Sequence, residues 1–423
     1  MLRRAAIVLS SLVVDRLLWV SRAVTLLSQA NFIPNWGDRM RVLFSSTKFL
    51  GHFNPLLPYI GALKKLGHDV AVAAPAEMAA RLGQAGIEHL TVGEPTQEEV
   101  EASRRAIDAA SGAMDVRQAI AESFLGQSRA TLPDLMRIIA DWRPDLVVRE
   151  SLELGALVAA AAAGLPCCRV GVHCGQGEMD FIPNLVSGID RMCGMVGLPN
   201  DNGASLRAEQ VFSAFPEFMD VGVDWLGTQE PFRTRPPSAP TPPDSAERPS
   251  WAPSVGETFV YVTLGTVSGR SDKSRAAYRA VLEALSTLPV RALLTTGPVM
   301  PHEHLGTIPP NVTVEVFVPQ SEVLPYARAV VCHGGSGSLI GALAQGIPTV
   351  VVPLFADQPH NAASVARVGA GVSVTDRTVP VLRAAIARVL EDENIRLTAR
   401  RIQTDIAAMP SVDTAARSIL ALV

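Results

Sequence analysis

From Met40 onward, short apolar runs alternate with amphipathic helical segments, and this alternation limits the folds open to the chain. In the N-terminal half the apolar runs predict strands at residues 41–46, 69–74, 90–92 and 145–148. The helices predicted between them end at glycines, namely Gly67, Gly86 and Gly164. Strands separated by helices form βαβ units, so we expect the α/β class with a doubly wound parallel sheet.

A second alternation of the same kind fills the C-terminal half. Its predicted strands cover residues 259–264, 291–296, 312–317, 329–332 and 349–353. Prolines recur every few residues between the two halves, which favours an extended linker. We therefore predict two Rossmann-like domains, residues 40–230 and 255–423, joined by a linker at 231–254. Ligands are expected in the cleft where the carboxyl ends of the strands face each other.

Two stretches interrupt the first alternation, at residues 94–127 and 173–223. The first is polar with helical character, and the second carries scattered Met, Phe and Trp residues. Both are open to two interpretations: helical insertions over the cleft, or variable surface helices.

The composition excludes several classes of protein. Apolar residues make up 48% of the chain and charged residues 18%, which is typical of a globular protein with large cores. The net charge of -4 and the lack of a long basic run argue against a nucleic-acid partner. Five cysteines without CxxC spacing indicate reduced thiols in a cytoplasmic protein.

The first 39 residues do not fit the alternation. Arg3 and Arg4 precede an apolar run, as in a signal peptide, but Asp15 and Arg16 interrupt it. The run is also too short for stable insertion into a membrane. We expect residues 1–39 to be an N-terminal extension, or an overlong reading of the gene, with folding to begin at Met40.

The strongest chemical signal lies between a predicted strand ending at Cys332 and an apolar helix. The intervening residues are His333, Gly334, Gly335, Ser336, Gly337 and Ser338. Free backbone N–H groups at a helix start, together with the helix dipole, attract anions, and glycines let phosphate oxygens approach. The imidazole and the two hydroxyls add donors. No Gly-Lys-Ser/Thr follows, which excludes a P-loop, and the GxGxxG spacing of nicotinamide-binding domains is absent.

With residues 342–353 and 355–361, this segment resembles the donor motif of family 1 glycosyltransferases of the GT-B fold. It is most similar to the bacterial branch that decorates macrolides, enediynes and aromatic polyketides in antibiotic biosynthesis. The resemblance covers residues 40–423. It implies that the segment binds a nucleotide diphosphate and that Asp357 and Gln358 hold sugar hydroxyls. It also implies that Val318 and Gln320 lie at the nucleobase, and that Gly265 and Thr266 close over the phosphates.

The N-terminal half offers a candidate general base. His52 follows the first predicted strand in Gly51-His52-Phe53-Asn54-Pro55, and a histidine with a pKa near neutrality suits removal of an acceptor proton. The resemblance extends to this motif and implies a catalytic role. The family pairs the histidine with an aspartate, whereas the corresponding strand here ends in Glu150, which would either support His52 or contact the acceptor. Arg149 and Glu153 are weaker candidates for that partner.

Together these features predict an inverting glycosyltransferase that moves a deoxysugar, by resemblance from thymidine diphosphate, to a hydroxyl of a lipophilic acceptor. Phe53, Asn54, Phe181 and Met192 are candidate acceptor contacts. We expect neither a cofactor nor a metal. The sequence leaves open whether the protein forms a homodimer. The alternatives are a GT-B sugar-nucleotide epimerase and an inactive nucleotide-sugar-binding homologue. The presence of both His52 and the 333–338 segment favours the transferase.

Overall fold

A computed structural model describes residues 39–110, 112–225, 228–237, 248–266, 269 and 271–423. The predicted N-terminal extension lies outside these residues except for Arg39, and so does the middle of the predicted linker, residues 238–247. No helix in the described ranges is long and apolar enough to cross a membrane.

The first domain is built on a seven-stranded parallel sheet in the order β3-β2-β1-β4-β5-β6-β7. Its strands are β1 (Arg41–Ser45), β2 (Asp69–Pro75), β3 (Glu88–Val92), β4 (Leu146–Glu150), β5 (Cys167–Gly171), β6 (Gln210–Ser213) and β7 (Phe232–Arg233). Its helices are α1 (Leu50–Phe53), α2 (Leu57–Lys65), α3 (Ala79–Gln84), α4 (Gln97–Ala109), α5 (Ala113–Trp142), α6 (Gly155–Ala163), α7 (Gly175–Met195) and α8 (Ala204–Ala208). Two apolar cores cover the two faces of this sheet.

The second domain carries a six-stranded parallel sheet in the order β10-β9-β8-β11-β12-β13. Its strands are β8 (Phe259–Thr263), β9 (Arg291–Thr295), β10 (Val312–Glu315), β11 (Ala329–Cys332), β12 (Thr349–Val351) and β13 (Gly371–Ser373). The helices that follow are α9 (Asp272–Ser286), α10 (Gln320–Val323), α11 (Ser336–Ala344), α12 (Gln358–Val368), α13 (Val379–Glu391), α14 (Glu393–Ala408) and α15 (Val412–Leu420). The predicted fold class is confirmed: each half is a doubly wound α/β domain.

The predicted linker needs two corrections. Phe232 pairs with Phe212, and Arg233 with Ser213, so the segment starts as the edge strand of the first sheet. This pairing is possible because no proline follows Pro231 until Pro236, beyond β7. Near its other end, Trp251 is buried and its ring stacks on Phe259 at a centroid distance of 6.3 Å. Both ends of the predicted linker are therefore parts of folded domains.

The last helix also departs from the prediction. Residues 255–423 were expected to form the second domain, yet α15 contributes Ala415, Ala416, Ile419 and Leu420 to the core of the first domain beside α2. The backbone N–H of Arg235 donates to the Pro410 carbonyl, 2.9 Å away, where the chain returns. The chain therefore passes between the domains twice.

The two interrupting stretches are mainly helical. The first contains α4 and the first half of the 30-residue α5, and the second contains α7, α8 and strand β6. Helices α5 and α7 contribute Ala121, Leu125, Ile182 and Ile189 to the core of the first domain, so they are integral elements and not loosely attached surface helices.

Candidate active site

His52 and Glu150 form a hydrogen-bonded pair at the carboxyl edge of the first sheet. His52 lies on the short helix α1 directly after β1, and Glu150 is the last residue of the neighbouring strand β4. The Nδ1 atom of His52 is 2.8 Å from Oε2 of Glu150, whose side chain is fully buried. This bond leaves Nε2 of His52 as the nitrogen that can take up a proton.

Glu150 is held as a carboxylate in spite of its burial. Burial alone would raise its pKa, but the charge and hydrogen bond of His52 outweigh that effect, and the pKa is lowered. The Leu152 amide supports the ionised form, since it donates to the same Oε2 at 2.8 Å. A buried carboxylate in this position fixes the orientation and tautomer of the imidazole.

Aromatic rings surround His52. The Phe124 ring from α5 stacks on the imidazole at a centroid distance of 5.0 Å, and the tilted Phe49 ring lies at a centroid distance of 6.1 Å. His173, which follows β5, meets it edge-on at 5.7 Å. Aromatic side chains therefore line part of the site around the base candidate.

The other two candidate partners of His52 have different contacts. Arg149 is fully buried, and its Nε donates to Glu209 Oε1 at 2.8 Å. Its other nitrogens donate to a second Glu209 oxygen and to the carbonyls of Glu150 and Ser151. Glu153 accepts bonds from the Ser45 and Thr131 hydroxyls. Neither side chain has a hydrogen bond to His52 among the described residues.

The glycine-rich segment of the second domain forms the turn between β11 and α11, as predicted. Helix α11 begins at Ser336, two residues earlier than expected, so the amides of Ser336, Gly337 and Ser338 lie in its first turn. Amides in a first helical turn have no partner within the helix and can bind an anion. Gly334 has a φ of +89°, which only glycine adopts without strain, and it turns the chain into the helix.

His333 lies between two glycines at this turn. A Cβ atom on Gly265 would be 2.7 Å from His333 Nε2, and one on Gly335 would be 2.4 Å from the same atom. Both positions therefore need glycine to make room for the ring. Burial lowers the pKa of His333 to about 4, only partly offset by the backbone of Thr263, so the imidazole is neutral near pH 7.

Two predicted donor-binding side chains make protein contacts in this structure. The Ser336 hydroxyl donates to the Val172 carbonyl, which follows β5 in the first domain. The Gln320 amide donates to the Gly337 carbonyl at 3.0 Å, while Val318 is buried in the second domain's core. The Ser336 contact brings the carboxyl edges of the two sheets together, with His52 on one side and the α11 turn on the other.

Asp357 and Gln358 begin α12 beside this turn. Asp357 accepts a bond from Asn361 at 2.9 Å, and burial raises its pKa although the nearby His173 opposes the shift. Gln358 Oε1 accepts from the backbone amides of Leu354 and Phe355. The side-chain oxygen of Gln358 is thus bonded to the backbone of residues 354–355, and its NH₂ group can donate to a ligand.

The predicted acceptor contacts need correction at two positions. Phe53 is fully buried in the core of the first domain, and Met192 is 2% exposed within α7, so neither side chain is open to a ligand. Asn54 is exposed beside the base candidate. Phe181 is 4% exposed, and its ring contacts the His173 ring at a centroid distance of 5.5 Å. His173 in turn contacts His52, so it lies between Phe181 and the base candidate.

His173 and Asn361 are two further residues of the site that sequence patterns alone did not reveal. The signal for His173 was its place after an apolar segment, the same relation that His52 has to β1, but β5 was not predicted. Asn361 stands four residues after Asp357 on α12, a spacing at which helical side chains meet. Its amide bonds both Asp357 and the Gly334 carbonyl, and so joins the two donor-side segments.

Two facing doubly wound domains, with a histidine–carboxylate pair on one and a glycine-rich helix start on the other, define the GT-B class of glycosyltransferase. Comparisons with known proteins agree. Residues 61–181 match the family "Erythromycin biosynthesis protein CIII-like, N-terminal domain", and residues 280–422 match its C-terminal counterpart. The chain belongs to the family 1 glycosyltransferases of natural-product pathways.

Relatives and solved structures of this family resemble the chain over nearly its whole length. The L-demethylnoviosyl transferase of Streptomyces niveus is 30% identical over 90% of this chain and 98% of its own. The tylactone mycaminosyltransferase of Streptomyces fradiae is 28% identical over 89% and 91%. The glycosyltransferase SsfS6 of Streptomyces sp. SF2575, solved with thymidine diphosphate, superposes with a TM-score of 0.72 at 23% identity, covering 90% of this chain and 100% of that one.

Proposed function

We propose that this glycosyltransferase transfers a deoxysugar from thymidine diphosphate to a hydroxyl of a lipophilic natural product, with inversion at the anomeric carbon. The observation that carries the proposal is the pairing of His52 with buried Glu150 opposite the α11 turn. The first domain then binds the acceptor and the second binds the donor. The names of relatives support this assignment, among them a tylactone mycaminosyltransferase and an aclacinomycin-T 2-deoxy-L-fucose transferase.

In the proposed reaction, Nε2 of His52 removes the proton of the acceptor hydroxyl as its oxygen attacks the anomeric carbon. The bond from that carbon to the diphosphate breaks on the opposite face, and the electron pair leaves with the diphosphate. The imidazolium formed on His52 is stabilised by Glu150. The amides of Ser336, Gly337 and Ser338 and the N–H of neutral His333 donate to the leaving oxygens, where charge develops.

The alternative role of Glu150, direct contact with the acceptor, has less support. Its side chain is fully buried, and Oε2 is shared by His52 and the Leu152 amide. A longer carboxylate can serve the same purpose as the family's aspartate because what matters is the hydrogen bond to Nδ1. The rings of Phe49 and Phe124 beside His52 favour an apolar acceptor.

We expect thymidine diphosphate to bind without a divalent metal, because helix amides and His333 supply the donors. In excess chelator it should raise the melting temperature, since a ligand that binds only the folded state stabilises it by about 2.7 kcal/mol at a hundred times its Kd. Thermal unfolding with thymidine and uridine diphosphates checks this. A rise in melting temperature that appears only with added Mg²⁺ would refute the metal-free site. A larger rise with uridine diphosphate than with thymidine diphosphate would refute thymine as the preferred nucleobase. Mass spectrometry with a panel of nucleotide sugars and polyketide aglycones then identifies the product.

Gly335→Ala should weaken thymidine diphosphate binding about tenfold or more. Gly335 has a φ of −62°, which alanine adopts freely, so the effect comes from the added methyl group, 2.4 Å from His333 Nε2. Displacing one charge-assisted donor costs about 1.5–3 kcal/mol. Calorimetric titration measures the change. Gly83→Ala, at an exposed position of α3 with nothing within 4 Å of the added atom, is the matched control. Equal affinity in both variants would exclude His333 from the donor site.

A further inference from the structure

Helix α12 belongs to the second domain and begins with the proposed sugar-binding residues, yet one of its faces lies against the first domain. That face carries residues separated by three, four and three positions, a spacing that places them on one side of a helix; they are Asp357, His360, Ser364 and Arg367. Each of the four lies against the first domain, and we call the set the α12 seam.

The seam is tightest at its start, where Gly177 of α7 faces Asp357. A Cβ atom on Gly177 would lie 2.8 Å from the Asp357 Cβ and 3.2 Å from the His173 Cβ. Carbon atoms that are not bonded to each other pack at about 3.5–4.0 Å, so the missing side chain permits an approach that any other residue would block. Because a Cβ atom is fixed by its backbone, a side chain at position 177 would force α7 and α12 apart.

The next contact of the seam joins His360 to Asp180, which lies one turn beyond Gly177 on α7. His360 Nε2 is 3.0 Å from Asp180 Oδ2. The first domain holds this carboxylate in place, since Nη2 of Arg117 from α5 lies 2.7 Å from Oδ2 and the Gln176 amide donates to Oδ1 at 2.7 Å. His360 therefore meets an oxygen whose position is set by the first domain.

The far end of the seam lies on the short 3₁₀ helix Glu217–Met219, which follows β6. The hydroxyl of buried Ser364 donates to the Met219 carbonyl at 3.0 Å, and Arg367 Nη2 donates to the Phe218 carbonyl at 2.6 Å. The seam thus extends along α12 from the proposed sugar site to the segment after β6.

We propose that the α12 seam positions the donor sugar for transfer, with Gly177 as its counterpart on the first domain. The seam fixes the start of α12 against α7, and so sets the distance between a sugar held at Asp357 and an acceptor hydroxyl at His52. The proposal deepens the proposed function and rests on it for the roles of these two residues. The diphosphate is held at the α11 turn outside the seam, so the seam controls the rate of transfer and not the affinity for the nucleotide.

Gly177→Ala tests the seam from the domain that does not hold the sugar. The methyl group needs about 1 Å of extra space, and a displacement of that size between reacting groups can cost about 10²-fold. We expect the single-turnover rate of transfer to fall about tenfold or more, while calorimetry gives a Kd for thymidine diphosphate within about twofold of the unaltered chain. Gly194→Ala, at an exposed position of the same helix with nothing within 4 Å of the added atom, is the matched control and should change neither quantity. An unchanged rate in folded Gly177→Ala would contradict the proposal.

A distance measurement without ligands separates this proposal from the proposed function. Spin labels on p-acetylphenylalanine, introduced at the exposed positions of Arg81 on α3 and Arg383 on α13, report the separation of the domains by double electron–electron resonance in the full chain. The unaltered chain should give one narrow distance distribution. Ser364→Ala combined with Arg367→Ala removes two bonds of the seam and adds no bulk, so the distribution should become longer or broader.

The matched control for this pair is Ser286→Ala with Arg279→Ala. The bonds lost there, to the carbonyls of Glu283 and His304, lie within the second domain, so the distribution should not change. A distribution as broad in the unaltered chain as in the seam variant, or an identical one in the folded seam variant, overturns the proposal. Because this measurement needs neither sugar nucleotide nor acceptor, its outcome is independent of whether transfer from thymidine diphosphate is observed.

Discussion

His52→Ala should lower the rate constant of sugar transfer about 10²–10⁴-fold, the usual contribution of a general base. The substitution removes the imidazole that Glu150 orients through a 2.8 Å hydrogen bond. Alanine has no group that can take the proton from the acceptor hydroxyl. Binding of thymidine diphosphate should stay within about twofold, because the donor turn lies on the other domain. Single-turnover transfer with the identified substrates, alongside calorimetry of the nucleotide, measures both quantities.

Two further variants serve as comparisons in this experiment. Glu150→Gln keeps a group of similar size at the same position but removes the charge that stabilises imidazolium, so it should retain part of the activity that His52→Ala loses. His302→Gln, on the exposed surface of the second domain, should retain full activity. A loss of less than tenfold in His52→Ala, with the variant folded, would remove His52 from the role of base.

Arg149→Met should lower the free energy of unfolding by about 3–5 kcal/mol, the cost of removing one partner of a buried ion pair. Arg149 is fully buried and holds Glu209 through two bonds, one of them 2.8 Å long. Without it, the partners left to the buried Glu209 carboxylate among the described residues are Arg169, whose Nε is 3.8 Å away, and the Cys167 thiol, 3.6 Å away. Urea unfolding followed by far-ultraviolet circular dichroism gives the change in stability.

The comparison variant for this prediction is Arg137→Met. Arg137 pairs with Asp134 at 3.2 Å on the surface of α5, where its side chain is 60% exposed, and its loss should cost about 1 kcal/mol or less. The double variant Arg149→Met with Glu209→Met should recover much of the stability, because it leaves no unpaired buried charge. Similar losses in the two single variants would mean that the buried pair contributes no more than a surface pair.

Much of the fold follows from local patterns. Strands with continuous apolar runs, such as β1 and β11, were predicted to within a residue, because burial on both faces selects such runs. Strand β5 was missed since it carries Arg169, and β6 and β7 were missed since each is short and contains polar residues. The charge in β5 is tolerated only because Glu178 and Glu209, distant in sequence, neutralise it. No local pattern reveals that compensation.

The residues of the candidate site also fall into two groups: those that local motifs predict and those that depend on tertiary packing. His52, Glu150 and the 333–338 turn stand at strand ends in recognisable motifs, so the sequence sufficed to propose them. The occupied hydroxyl of Ser336, the place of His173 beside His52, and the burial of Phe53 and Met192 depend on how distant elements meet. Those features needed the packed structure.

The return of α15 to the first domain bears on how members of this family can be recombined. Helix α15 supplies four side chains to the apolar core beside α2, and Arg235 bonds the Pro410 carbonyl at the crossing. A chimera that exchanges the donor half between two relatives at the proline-rich segment alone would join a foreign α15 to the first domain and mismatch that core. A sound exchange has two junctions: one in the proline-rich segment and a second near Pro410, so that α15 stays with the domain it completes.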